Sequence, residues 1–366
     1  MDPVTHILLG VTTAQLGFRQ RIGRDASWVA AMAATVPDWD VWAAPLLTLS
    51  GFEVDDISAL TIHRGPTHSL LTCAAVALPI ALAWWWARRA LRRRERPDAE
   101  HLTTAKPPPA LGLLYLCVLA AVGCHPLLDL CTSYGTQILW PLTSRRYAID
   151  AVGIIDFIYT PILLLTLLAC FIARKIARSP AAKATLIIAW TGLVLSTGYI
   201  AAGKVLGYLA AESPPKALNH CRRHAYPQVG TIFLWRVTTE DENAWYFARA
   251  NMLHPRPWGP DDFRPVRKPD NQWVRRAREL PEVETFDWFA GGQLRAVYER
   301  RDDLHVVEFQ DMRYAVRPDS PEGLWGVRAM FDESGRLLGV HRVSHFWPRG
   351  GIAQAAREVW REIWKP

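Results

Sequence analysis

Hydrophobic and polar positions divide the chain into two unlike stretches. Residues 1–211 carry nearly all the long apolar runs, while 212–366 alternate over short distances and are rich in Trp and Arg. Segments 69–86, 110–122, 157–173 and 184–202 contain no charged residue. A helix crossing ~30 Å of hydrocarbon needs about 20 mostly apolar residues. Three of the four therefore read as membrane spans, and 110–122 joins them if it continues to Leu128. Segments 4–18 and 27–36 are shorter and read as half-length membrane helices or as core helices. The Pro214-Pro215 step ends any helix, so the chain divides into a membrane-embedded part, 1–211, and a soluble part, 212–366.

The second part shows strand-like runs at 229–237, 244–249, 293–300, 304–311, 325–331 and 337–341. Asp332-Glu333-Ser334-Gly335 is a hairpin-type turn between the last two. Ile352, Ala355, Ala356, Val359, Trp360, Ile363 and Trp364 fall at helical spacing and predict an amphipathic helix. The expected architecture is an N-terminal all-α polytopic membrane bundle of four to six helices. A small soluble α+β domain with an antiparallel sheet follows it.

Composition sharpens this picture. The mean hydropathy of +0.01 is the average of two unlike parts. Half the residues are hydrophobic and 21% are charged, which excludes global disorder. None of the six cysteines forms a CxxC pair, which argues against cysteine-rich zinc sites and thioredoxin-like chemistry. The net charge of +7 concentrates in three loops, 19–25, 87–106 and 174–183. Basic loops stay cytoplasmic. Residues 1–4, 37–67, 125–153 and everything after about 205 then face outside, with Arg145-Arg146 as an exception. The charge thus has a topological reading that requires no nucleic acid. Met1-Asp2-Pro3 lacks the basic stretch of a secretory signal, so insertion is expected to rest on the helices themselves.

Residues with metal-ligand chemistry gather on that one predicted face. They are His6 in D-P-V-T-H, Asp38 and Asp40 in P-D-W-D, His63 and His68 in H-R-G-P-T-H-S, and His125 and Asp129 in H-P-L-L-D. Ionisable groups beside a membrane segment are costly and mark function. Imidazole and carboxylate suit Zn, Mn or Fe. His125 and Asp129 share one side of a helix at i and i+4, with Pro126 fitting a first helical position and His125 near the cap. Pro37 is expected to end the second helix just before the two acids. Asp38 and Asp40 face one site if their stretch is extended. The Arg64-Gly65-Pro66-Thr67 turn bends His63 and His68 toward one ion. Such a cluster would hold one or two divalent metals and generate hydroxide from bound water, with Asp40 as a base. Arg64 is placed to clamp an anionic group, and Tyr134, Arg145 and Arg146 form a second circle toward substrate or lipid headgroups.

These motifs, with H-P-L-L-D-L-C-T-S-Y-G at 125–135 and P-L-T-S-R-R at 141–146, resemble the YdjM/YbcI-type inner-membrane metal-dependent hydrolases over residues 1–205. That family is similar, more distantly, to the all-helical zinc-dependent phospholipase C group. The resemblance implies a divalent metal, zinc with manganese as the alternative, and a phosphoester substrate, lipid-linked in one version. It implies His6, Asp38, His63, His68, His125 and Asp129 as ligands. Two rival classes stand beside this expectation. One is a proton- or ion-coupled transporter, disfavoured because the groups lie at helix ends and not at the midplane. The other is a non-catalytic assembly protein whose metal only fixes the helices.

Overall fold

The computed structural model describes the chain except residues 52–55, 58, 95–108, 177–180, 216, 217, 219, 260, 261, 264, 346–356, 358, 359, 365 and 366. The expected C-terminal amphipathic helix lies largely outside the described residues; only Arg357 and residues 360–364 of it are seen, in helical conformation.

The first part is helical. α1 (Pro3–Gln15), α2 (Phe18–Ile22) and α3 (Asp25–Ala33) form a short hairpin. A 3₁₀ turn (Val36–Trp42), α4 (Ala43–Leu49), α5 (Ala59–Ile62) and a second 3₁₀ turn (Pro66–His68) follow. Four long helices come next: α6 (Leu70–Arg94), α7 (Leu111–Leu130), α8 (Tyr159–Ile176) and α9 (Ala181–Glu212). All four are long and apolar enough to cross a membrane. The 110–122 run does continue past Leu128, which supplies the missing length. At 1.5 Å per residue, α1 and α3 reach only about 20 and 14 Å, well short of the hydrocarbon thickness. They pack as core helices against α7.

Small residues make that packing possible. Ala14, Ala26, Ala30, Ala33, Ala77, Ala81 and Ala121 fill the bundle centre, where close backbone approach replaces a hydrophobic driving force that lipid cannot supply. Gly10 marks one close crossing, since a Cβ there would lie 2.6 Å from the Ala34 methyl. Large apolar side chains of α6, α8 and α9, among them Leu71, Leu165 and Val194, point outward.

The second part contains two antiparallel sheets of four strands, where a single sheet was expected. The first is β1 (Arg222–Pro227), β2 (Leu234–Glu240), β3 (Ala244–Asn251) and β4 (Val266–Arg267). Helices α10 (Gln272–Arg278) and α11 (Pro281–Ala290) lead into the second, β5 (Leu294–Arg301), β6 (Leu304–Asp311), β7 (Trp325–Asp332) and β8 (Leu337–Ser344). The 229–237 run was displaced by several residues from the true β2, and β1 carried too many charges to register as a strand.

Several contacts fix the second part to the first, two of them by apolar packing. α9, at 32 residues, is longer than ~30 Å of hydrocarbon requires, and its last turns pack on β1 and β2. Gly207 permits this, because a Cβ there would meet the Trp235 ring at 2.6 Å. Ile57 and Leu60, from the loop before α6, enter the core formed by α10, α11 and the second sheet. The starts of α6 and α8, the ends of α7 and α9, and the second part all lie at one end of the bundle, while Arg88 and Arg89 of α6 and Arg174 and Lys175 of α8 lie toward the other.

Candidate metal centre

Local sequence signals place each ligand candidate. Asp2 caps α1 by accepting from the Thr5 amide at 3.0 Å, and Pro3 occupies the first turn, where its missing N–H costs nothing. His6 is thereby fixed within the first turns of α1. His125 and Asp129 occupy the last turns of α7. The expectation that Pro126 opens a helix fails, because α7 runs straight through it. Pro126 cannot donate to the Val122 carbonyl, and the Cys73 thiol, 3.9 Å away, points at that oxygen.

The two acids follow a 3₁₀ turn and not an extended strand; Pro37 opens it, and the chain at Thr35 stays near helical conformation. Residues two apart in a 3₁₀ turn lie about 240° apart, so Asp38 and Asp40 cannot face one point. They grip His68 from opposite sides instead. Asp38 Oδ1 is 3.4 Å from His68 Nε2, and Asp40 Oδ2 is 3.3 Å from His68 Nδ1. His63 and His68 likewise do not converge on one ion. Their rings meet edge to face at 5.8 Å, and His63 Nδ1 pairs with Asp40 Oδ1 at 2.8 Å.

The structure brings Asp38, His68, His125 and Asp129 together, with one donor atom from each within 4.8 Å of all the others. His125 Nε2 lies 3.2 Å from Asp38 Oδ1 and 3.4 Å from Asp129 Oδ2, and His68 Nε2 lies 3.4 Å from both carboxylates. Bonds of about 2.0–2.1 Å in a tetrahedron hold their donor atoms about 3.3 Å apart, so the set suits a small four-coordinate ion. His68 Nε2, His125 Nε2 and Asp129 Oδ2 are buried without a hydrogen-bond partner. Such orphans are costly in a closed interior, and a cation between them satisfies all three.

The outer contacts support the same reading. His125 Nδ1 lies 2.6 Å from the Ala34 carbonyl. A proton held there leaves the Nε2 lone pair facing the cluster. The Thr67 hydroxyl, 3.0 Å from His68 Nδ1, and Asp40, 3.3 Å from it, do the same for His68. Asp40 is itself held by the Arg64 amide at 3.1 Å and the Thr67 hydroxyl at 2.6 Å. Burial opposes the Asp40 carboxylate, but hydrogen bonding from His63 and His68 outweighs it and holds the group well below the ordinary range. Burial also opposes a charged His68, yet its contacts with Asp129, Asp38 and Asp40 push it up to about 9. The pocket is therefore a negative one that attracts positive charge.

Other candidates sit around this core. His6 stacks on His125 at 3.5 Å between ring centroids, and its Nε2 is 3.3 Å from Asp129 Oδ1. The Met1 amino group bonds both His6 and Asp129. Asp129 thus presents one oxygen to the four-donor cluster and the other to His6. Arg64 has φ +56°, in the left-handed region, a strain that persists only where surroundings impose it. Here its guanidinium donates to Asp129 at 3.0 Å and Thr132 at 2.9 Å and lies over Tyr134 at 4.6 Å. It therefore steadies a ligand.

Arg146 is half-buried and donates to the carbonyls of Leu60, His63 and Gly135, tying three site loops together. Tyr134 wedges between His63 and Phe289. Arg145 is exposed and lines a cleft of about 590 Å³ between the two parts, with Asp150 and His224. Arg313, which carried no sequence signal, reaches from the soluble part to the Ser133 and Tyr134 carbonyls.

The chain matches the family described as YdjM inner membrane protein over residues 1–205 and belongs to it. No curated protein and no solved structure gives a significant match. It is a membrane protein with four candidate spans and a cluster able to hold a metal ion.

Proposed function

We propose that this member of the YdjM inner membrane protein family is a membrane-bound metal-dependent hydrolase of phosphoesters, with Asp38, His68, His125 and Asp129 holding the ion at the extracytoplasmic end of the bundle. The observation that carries the reading is the cluster of orphaned donor atoms spaced at 3.2–3.4 Å. The side is inferred from the Arg-rich loops at the opposite end. A bound divalent ion of the zinc or manganese type supplies Lewis acidity and a water acidified toward neutral pH.

The chain's own residues do the rest. Ala34 and Asp40 fix the tautomers of His125 and His68, so that both keep Nε2 free. Arg64 holds Asp129 Oδ1 and leaves Oδ2 for the cluster. Asp38 alone of the four is open to the outside, with its side chain 22% exposed against 0% for the others. That opening is where an anionic oxygen would enter. Both Asp40 oxygens are already engaged, so Asp40 positions and does not abstract a proton. His63, anchored to Asp40 through Nδ1 and partly exposed, is the residue placed to carry a proton at Nε2.

A second reading has one observation in its favour. Four protein donors at tetrahedral spacing also describe a closed structural site. Metal analysis and turnover, by the purified full chain in vesicles, of a long-chain alkyl p-nitrophenyl phosphate and of its water-soluble methyl counterpart separate the two. His68→Ala and Asp129→Ala are expected to lose the metal, and His63→Ala to keep it while losing most turnover. Stoichiometric metal in both ligand variants sinks the site. Full metal with no turnover in the parent chain leaves the structural reading.

A further inference from the structure

α4 is an anomaly for a helix in a folded protein. Its sequence, Ala-Ala-Pro-Leu-Leu-Thr-Leu, contains no charge, and none of its residues is buried. Leu49 is 85% exposed, Leu46 60%, and the preceding Trp39 and Trp42 57% and 65%. Leu142, at 87%, and Trp140 extend the apolar surface on the loop after α7. An apolar surface of this kind in water is an aggregation liability. All of it lies at the end of the bundle where α6 begins and α7 ends. Tryptophan at such a level is the ordinary membrane-interface anchor. The one exposed ligand, Asp38, is the immediate neighbour of Trp39.

We infer that residues 39–49 form a collar seated in the leaflet on the site side of the membrane, and that the metal centre opens through this collar onto lipid. The collar's occupant is the acyl region of that leaflet. Its consequence, which rests on the hydrolase reading, is the class of substrate: an amphiphile whose phosphoryl headgroup reaches Asp38 sideways from the bilayer. A freely diffusing phosphoester would have to pass the same lipid.

Spin labelling of the full chain in phosphatidylcholine–phosphatidylglycerol vesicles tests the collar without metal or turnover. Labels are attached through Trp39→Cys, Leu46→Cys and Leu49→Cys, with Asp302→Cys at the exposed β5–β6 turn as the aqueous control, and the signal of the parent chain is subtracted. Collision with oxygen relative to a water-soluble nickel chelate is expected to be several-fold higher at 39, 46 and 49 than at 302. Leu49, the most exposed of the three positions, tolerates a label should Trp39→Cys or Leu46→Cys misfold. Ratios equal to the control overturn the collar. Low collision with both reagents overturns it too, since a second copy or a protein partner then covers the face. A lipid signal at 46 and 49 with an aqueous one at 39 overturns the sideways opening. Stoichiometric metal retained in both His68→Ala and Asp129→Ala removes the substrate class but not the collar, so the two failures are separable.

Discussion

Among the described residues, two places gather His, Cys and Asp closely enough to hold an ion, and only one of them has the physics of a metal site. The bundle cluster is buried, leaves three donor atoms without partners, and has its imidazoles oriented by Ala34 and Asp40. The second group, His220, Cys221 and Asp241, lies at the edge of the first sheet, with His220 exposed. Its carboxylate is already consumed. Asp241 accepts from the Asn243 and Ala244 amides at 2.7 Å and from the Tyr246 hydroxyl at 2.9 Å. It caps a turn. Proximity of ligand types is therefore weak evidence, while unsatisfied atoms with an ordered outer shell are strong evidence.

The largest effect should come from ligand removal at the two places. His125→Ala is expected to abolish stoichiometric metal in the purified chain, whereas His220→Ala and Cys221→Ala leave the metal content unchanged. A full loss in either of the latter would invert the comparison. A smaller effect is expected from Asp40→Asn, which keeps the shape but weakens the orientation of His68. Outer-shell changes of this kind cost about 10–100-fold in affinity, readable by competition with a chelator; an unchanged affinity would leave Asp40 as scaffolding for the loop alone.

The smallest effect concerns a third acid–imidazole group, which is saturated like Asp241. Glu308 accepts from Gln310 at 2.8 Å, Arg328 at 2.8 Å and His345 at 2.6 Å. Burial opposes its charge, and these bonds outweigh burial and lower its pKa. A depressed carboxyl contributes stability above its ordinary range and loses it as pH falls through the depressed value. The thermal midpoint of the full chain should thus decline on acidification below the usual glutamate range. The decline should be shallower in Glu308→Gln, and added zinc should leave it unchanged. An equal slope in both proteins would show that other carboxylates carry the acid response.

Much of this was legible in the chain. Spans show in sequence because a bilayer demands length and apolarity from each helix separately. The ligand residues show as well, because His and Asp beside apolar runs are too costly to be accidental. Boundaries and pairings were less legible. β1, Arg-Arg-His-Ala-Tyr-Pro, and helices α10 and α11 are set by packing on neighbouring elements and have no periodic signature of their own. The continuation of α7 through Pro126 depended on the environment of the Val122 carbonyl.

The sequence by itself determined that four helices are long and apolar enough to cross a membrane and that one end of the bundle collects His6, Asp38, Asp40, His63, His68, His125 and Asp129. Tertiary structure alone decided the division of labour among them. Coordination depends on which lone pairs converge within a few ångströms, and that follows from helix crossings at Gly10, the 3₁₀ turn at Asp38 and a backbone carbonyl at Ala34. Gly10 and Pro37 mark two of these in the sequence, but neither residue type says which lone pairs meet. For that reason His63 and Asp40, indistinguishable from ligands in the sequence, stand in the outer circle of the folded protein.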